Sequence, residues 1–178
     1  MDPVMMLHRT YPQEPAAMIR SITLLAAILA CGPVPAAAAE RLPHARNFQA
    51  DGKLAAAAVT PILVLFSRPG CAFCQRVKDE YLLPLRKDPA YKNKVMLREI
   101  DITSNATLTL FDGKRGSESA FAAANQIFLV PTIKVFDAAG ATVGEPIVGL
   151  LSPDYYFGYI DTAINDGIAA MRARRAAP

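Results

Sequence analysis

Two unbroken apolar runs stand out along the chain, Ile22 to Ala30 and Ile62 to Phe66. The second has the length of a strand and no polar alternation, which predicts a strand buried on both faces. Before it, Phe48 to Ala58 is Ala-rich with Leu54 inside and predicts a short helix ended by Val59-Thr60-Pro61. After it, Ser67-Arg68-Pro69-Gly70 is a turn. Phe73, Val77, Tyr81 and Leu85 then recur at helical spacing, as the buried stripe of a helix from about Ala72 to Leu85. Pro84 is expected to kink its last turn.

Val95 to Asp101 predicts a second strand, and Leu108 to Phe111 a short extended piece turned by Asp112-Gly113. Apart from that piece, Asp101 to Ser117 reads as loop. Ser117 is placed to cap a helix from Glu118 to about Asn125. Thr132 to Asp137 alternates as a strand, and Ala138-Ala139-Gly140 turns it into an antiparallel partner, Thr142 to Val148. Pro153 starts a final helix with Tyr156, Tyr159, Ile160, Ala163, Ile164 and Ile168 on one face. The aromatic group Tyr155-Tyr156-Phe157-Tyr159 is read as core packing. The order is α-β-α-β-α-β-β-α, without internal repeats.

The first apolar run belongs to a different kind of segment. Arg20 precedes it, and Gly32-Pro33-Val34-Pro35 and Ala37-Ala38-Ala39 follow, the pattern of an export signal with a small-residue cleavage site. The run is too short to span a bilayer as a permanent helix. Residues Met1 to Ala17 fit neither signal nor fold, which makes Met18 a candidate true start. Ile28-Leu29-Ala30-Cys31-Gly32 also resembles a bacterial lipobox, so a lipid anchor at Cys31 stands beside soluble cleavage near Ala39. The chain thus divides into a leader and signal over 1–39, a polar linker over 40–47, a folded domain over 48–170 and a basic tail over 171–178.

Composition narrows the function. Hydrophobic residues make up 52% of the 178, enough for a real core, and the net charge is only +3. So small and diffuse a charge gives no support to a nucleic-acid partner. Arg172, Arg174 and Arg175 read as a solvated helix end.

Chemistry centres on Cys71-Ala72-Phe73-Cys74, which holds two of the three cysteines. The pair lies where the buried strand ends and a helix begins, beside unpaired N–H groups and the positive end of the helix dipole, which favour a thiolate. A two-residue gap lets both sulfurs meet within one turn and close a small disulfide ring. By itself such a pair is also half a zinc site. Zinc needs further ligands, and the histidines are His8, in the leader expected to be removed with the signal, and His44, a solvated linker residue. No metal and no separate cofactor is therefore expected. If the signal is removed, the domain keeps only this pair, in an oxidising compartment.

The order of elements, with the cysteine pair after the first main strand and Val130-Pro131-Thr132 before the third, resembles the thioredoxin superfamily. Within it, Phe66-Ser67-Arg68-Pro69-Gly70-Cys71-Ala72-Phe73-Cys74, the long segment before Val130 and Phe136-Asp137-Ala138-Ala139-Gly140 are similar to exported, SoxW-like bacterial proteins. The resemblance implies an α/β thioredoxin fold, a central mixed four-stranded sheet flanked by helices. It implies a cis peptide bond before Pro131, and pairing of the Val130 backbone with a substrate strand. Departures matter as well: Gly70 replaces a tryptophan, Ala72-Phe73 replaces Gly-Pro, and Leu65 stands where the family has a buried aspartate that helps deprotonate the second cysteine.

In the expected mechanism Cys71, capping the helix, attacks a substrate disulfide as thiolate, and Cys74 resolves the mixed disulfide. Arg68 and Arg76 flank the motif as candidates to favour that thiolate, or as solvated charges. What takes the proton from Cys74 is open. The leading expectation is a periplasmic, monomeric reductase of protein disulfides, re-reduced by a membrane electron donor. A disulfide oxidase or isomerase on the same fold, or a noncatalytic binding module, are the alternatives. An isomerase would need a dimerisation domain, which a cleaved N-terminus does not supply.

Overall fold

The structure, a computed structural model, describes residues 40–150 and 152–177. The expected leader and signal over 1–39, with His8 and the candidate anchor Cys31, lie outside the described residues.

The first helix, α1 (Phe48–Ala58), starts where Asn47 accepts a hydrogen bond from the Ala50 N–H at 2.9 Å. It ends on Val59 in the left-handed region at φ 54°, and the turn returns the chain to Pro61. Strand β1 (Ile62–Ser67) is buried at every position, as its unbroken apolar run requires. A helical segment follows in three parts: α2 (Ala72–Val77), a π-helical turn over Lys78–Leu82 and α3 (Leu83–Lys87). Pro84 has no N–H for the carbonyl one turn back and its ring crowds it, so the expected kink takes the form of a widened turn just before the proline.

Strands β2 (Met96–Asp101), β5 (Thr132–Phe136) and β6 (Thr142–Val148) complete a four-stranded sheet in the order β2-β1-β5-β6. β1 runs parallel to β2 and antiparallel to β5, so the sheet is mixed, with Leu65 opposite Glu99 on one side and Ile133 on the other. The region read mostly as loop instead closes a small antiparallel hairpin, β3 (Thr107–Thr109) with β4 (Arg115–Ser117). Ser117 then caps α4 (Glu118–Ala124) through the Ala120 N–H at 3.1 Å. The last helix is α5 (Pro153–Ala176).

Alternation along β1 divides the core. Leu63 and Leu65 pack with Val77, Leu82, Leu85 and Ile160 beneath the α2–α3 segment and α5. Ile62, Val64 and Phe66 pack with Phe48, Phe121 and Phe136 beneath α1 and α4.

Several expectations about surface and linker change. Residues 40–47 are no free linker: Leu42 and Ala45 are buried, and Pro43 and Ala45 bond the Glu99 backbone at 2.9 Å along the outer edge of β2. Polar composition hid a segment too short to show a strand period. Of the aromatic group on the last helix only Tyr156 is core, against Tyr81 at 4.9 Å, while Tyr155, Phe157 and Tyr159 are exposed. They fall on the outward side of a helix whose buried stripe runs Tyr156, Ile160, Ile164, Gly167 and Met171. That stripe carries the helix beyond residue 170 into the expected tail, where Arg172, Arg174 and Arg175 are exposed as expected and Arg174 also reaches the buried Asp137.

Asp51 of α1 holds Arg98 of β2 by two bonds of 2.8 and 2.5 Å in a largely buried ion pair. Removing one partner strands the other charge. Asp51→Ala should therefore lower unfolding free energy by about 3 kcal/mol, read as a lower urea midpoint with unchanged slope.

Candidate active site

The turn after β1 sets the site. Pro69 fixes its own φ, Gly70 sits at φ +73° where a side chain would be strained, and the Cys71 N–H reaches back to the Arg68 carbonyl at 3.4 Å. Glycine at the position expected for tryptophan is thus a requirement of this turn. Cys71 emerges as the N-cap of α2: its sulfur accepts the Cys74 N–H at 3.1 Å, taking up one of the unpaired donors at the helix start.

Cys71 and Cys74 are joined in a disulfide, with their Cα atoms 5.2 Å apart. They differ in access. Cys71 is half-buried, while Cys74, one turn in, is only 1% exposed. Phe73 between them is 58% exposed and is not part of the buried stripe expected of it. The apolar face of α2 runs instead through Cys74 and Val77.

Sheet topology brings the other expected residues to the same end. β5 runs antiparallel to β1, so Thr132 lies opposite Phe66, one residue before β1 ends. Val130 and Pro131 therefore sit just outside the ladder, on the side where the cysteine turn leaves it. The peptide bond between them is cis. The Pro131 carbonyl accepts the Gly149 N–H at 2.7 Å, tying the end of β6 to the same place.

An apolar surface surrounds this end. Phe128 is 82% and Leu129 66% exposed, and Val148, across the ladder from Thr132, is also exposed. A cleft of about 230 Å³ lies below Phe128 and Leu129. Lys134 lines it, its ammonium 3.3 Å from the Asn125 side-chain oxygen, and burial pushes its pKa down.

Both arginines that flank the motif, Arg68 and Arg76, are exposed. Arg76 is committed to Glu80 one turn on, through bonds of 2.9 and 3.1 Å. The pairing holds the Glu80 carboxyl below its usual range and the guanidinium above its own. Beneath the helix lies a cluster that the sequence reading missed. Ser67 donates to Glu99 Oε1 at 2.6 Å, and Lys78 reaches the same oxygen at 3.0 Å. The strand period carried a signal for it, since Glu99 shares parity with the buried Leu97. Among the described residues, no group of three or more His, Cys, Asp and Glu side chains converges as a metal shell. His44 stands 3.5 Å from Glu118.

A disulfide between two closely spaced cysteines at a helix start, with one sulfur more accessible than the other, is the arrangement of a thiol–disulfide oxidoreductase. The sequence matches the family model of a thioredoxin-like domain over residues 48–164. No curated protein matches the chain significantly. Among solved structures, it is similar to oxidised mitochondrial thioredoxin 3 from Saccharomyces cerevisiae. That pair is 16% identical and covers 70% of this chain and 94% of the other, with a TM-score of 0.46. Thioredoxin from Fasciola hepatica is 15% identical over 69% of this chain and 96% of its own, at a TM-score of 0.47. Trxlp from Edwardsiella tarda is 21% identical over 62% and 90%, at 0.44.

The difference in access gives a direct expectation. In the reduced protein, iodoacetamide should alkylate Cys71 roughly tenfold faster than Cys74, as mass spectrometry of quenched digests will report.

Proposed function

Because the chain belongs to the thioredoxin-like domain family, we propose that it is exported to the periplasm and there reduces protein disulfides through Cys71 and Cys74. The observation that carries the reading is the pair itself: two cysteines closed on each other at a helix start, with the outer sulfur half-accessible and the inner one buried.

Chemistry follows from that asymmetry. Cys71, as thiolate, attacks one sulfur of a substrate disulfide, and a mixed disulfide forms as the other substrate sulfur leaves. Cys74 then attacks Cys71, the internal disulfide closes, and the second substrate thiol is released. Two electrons pass from the cysteine pair to the substrate in each cycle.

Substrate binding is assigned to the apolar end of the sheet. An extended segment would pair with the backbone of Val130, beside Pro131, in the manner of a strand added to an edge. Phe73, Phe128, Leu129 and Val148 would cover its side chains. Exposed apolar side chains gathered around a reactive disulfide suit partially unfolded protein chains better than small polar disulfides.

Export is supported by Arg20, the apolar run after it and Ala37-Ala38-Ala39. Cys31 offers a lipid anchor as the other outcome of the same segment. In an oxidising compartment a reductase is exhausted after one turnover, so a membrane donor of electrons is part of the proposal.

The direction of electron flow is tested by equilibrating the protein with glutathione redox buffers. A reductase should stand near about −270 mV; a value near about −120 mV would make the protein an oxidase.

A further inference from the structure

Resolution of a mixed disulfide has a requirement that Cys71 does not meet. Cys74 must lose its proton before it attacks, and an ordinary thiol holds that proton up to a pH of about 8.5. Cys74 is almost fully buried, so bulk water takes the proton with difficulty. Leu65, on the face of β1 that packs with Val77 of α2, has no group to accept it.

The strand next door carries one. Glu99 lies opposite Leu65 in the parallel β1–β2 ladder, on the face of the sheet that α2 covers. It is 5% exposed. Its carboxylate is drawn forward to Ser67, two residues nearer the cysteine turn than Leu65. From the other side Lys78 holds it, and the Lys78 N–H bonds the Cys74 carbonyl, one helical turn after that cysteine. Side chains at this spacing share a helix face, with Cβ atoms about 6 Å apart. The Glu99 backbone is pinned by Pro43 and Ala45, so the carboxylate has a fixed base. Both donors converge on Oε1, and among the described residues Oε2 has no hydrogen bond.

We propose that Glu99, oriented by Ser67 and Lys78, accepts the proton of Cys74 when the mixed disulfide is resolved. The inference rests on the thiol–disulfide exchange proposed above and names a residue for its second step. The Cys74 S–H bond gives its proton to the Glu99 carboxylate. The resulting thiolate attacks Cys71 Sγ, the Cys71–Cys74 bond forms, and the bond from Cys71 to the substrate breaks. Its electron pair leaves on the substrate sulfur, which takes up a proton from Glu99 or from solvent. The cysteine pair is oxidised and the substrate disulfide reduced.

Neighbouring charges do not compete for this place. Arg98 points to the opposite face and is held by Asp51, His44 faces Glu118, and Asp101 is turned to the Thr103 N–H and hydroxyl. Lys78 is the cation that meets Glu99 from the helix, and Ser67 the hydroxyl that meets it from the sheet.

The test separates the two steps. Reduced full-length protein is mixed with glutathione disulfide, and quenched samples are resolved by mass into free, adduct and internally oxidised forms across a pH series. Glu99→Gln keeps the size of the side chain and an oxygen for Ser67 and Lys78, but loses the carboxylate. Adduct formation on Cys71 should stay within about twofold of the parent. Resolution should slow at least about tenfold at pH 7, and the gap should close as hydroxide takes over above a pH of about 9. Equal resolution rates and an unchanged profile in Glu99→Gln would overturn the proposal. Lys78→Met perturbs the cluster from its half-exposed end, where folding is less at risk. It must shift the pH of half-maximal resolution, and an unmoved profile would overturn the proposal equally. If the parent forms no adduct on Cys71, the exchange chemistry itself fails, and the assignment of Glu99 with it.

Discussion

Everything chemical in this protein depends on where one strand stops. β1 is buried on both faces and hydrogen-bonded on both edges, to β2 in parallel and to β5 in antiparallel sense. A strand held in this way has no freedom to slide, because a shift of one residue would exchange its two buried faces. Its last residue therefore fixes the start of the cysteine turn. The antiparallel neighbour must begin at the same level, which puts Val130 and Pro131 beside that turn. Strand pairing alone thus assembles a site from residues distant in the chain.

Asymmetry between the two sulfurs follows from the same geometry. The turn delivers Cys71 to the cap of α2, where its sulfur meets a backbone N–H, and carries Cys74 one turn inward against the core. A capping sulfur gains from the helix start as it becomes negative. The buried sulfur does not cap the helix and gains less from its start. Ser67, Glu99 and Lys78 form the polar cluster beneath the helix, in a face otherwise made of Leu63, Leu65, Val77 and Leu97. Burying such a cluster costs stability unless its members satisfy one another.

Much of this was legible from residue patterns. The run Ile62 to Phe66 marked a central strand, Ser117 marked a helix start, and the Ala138-Ala139-Gly140 turn marked the hairpin of β5 and β6. These signals are local and strong. Phe73 misled because helical spacing does not say which of two overlapping stripes faces the core. Tyr155, Phe157 and Tyr159 stand outside the core because aromatic density along a helix does not say which of its sides is buried. Pro43 and Ala45 gave no signal, since an edge pairing of a few residues is decided by the strand it joins. Glu99 is the instructive case: strand parity places it inward, but only the partner strand and the helix above show what it meets.

Cys71 is proposed as the attacking sulfur and Cys74 as the resolving one. A Cys74→Ala variant of the full-length protein tests this most directly, through capture of a disulfide-bonded protein substrate and mass mapping of the adduct. The expected result is a stable mixed disulfide on Cys71 that reductant releases and that a further Cys71→Ala change abolishes. Capture that persists without Cys71, or failure of Cys74→Ala to hold any disulfide partner, would contradict it.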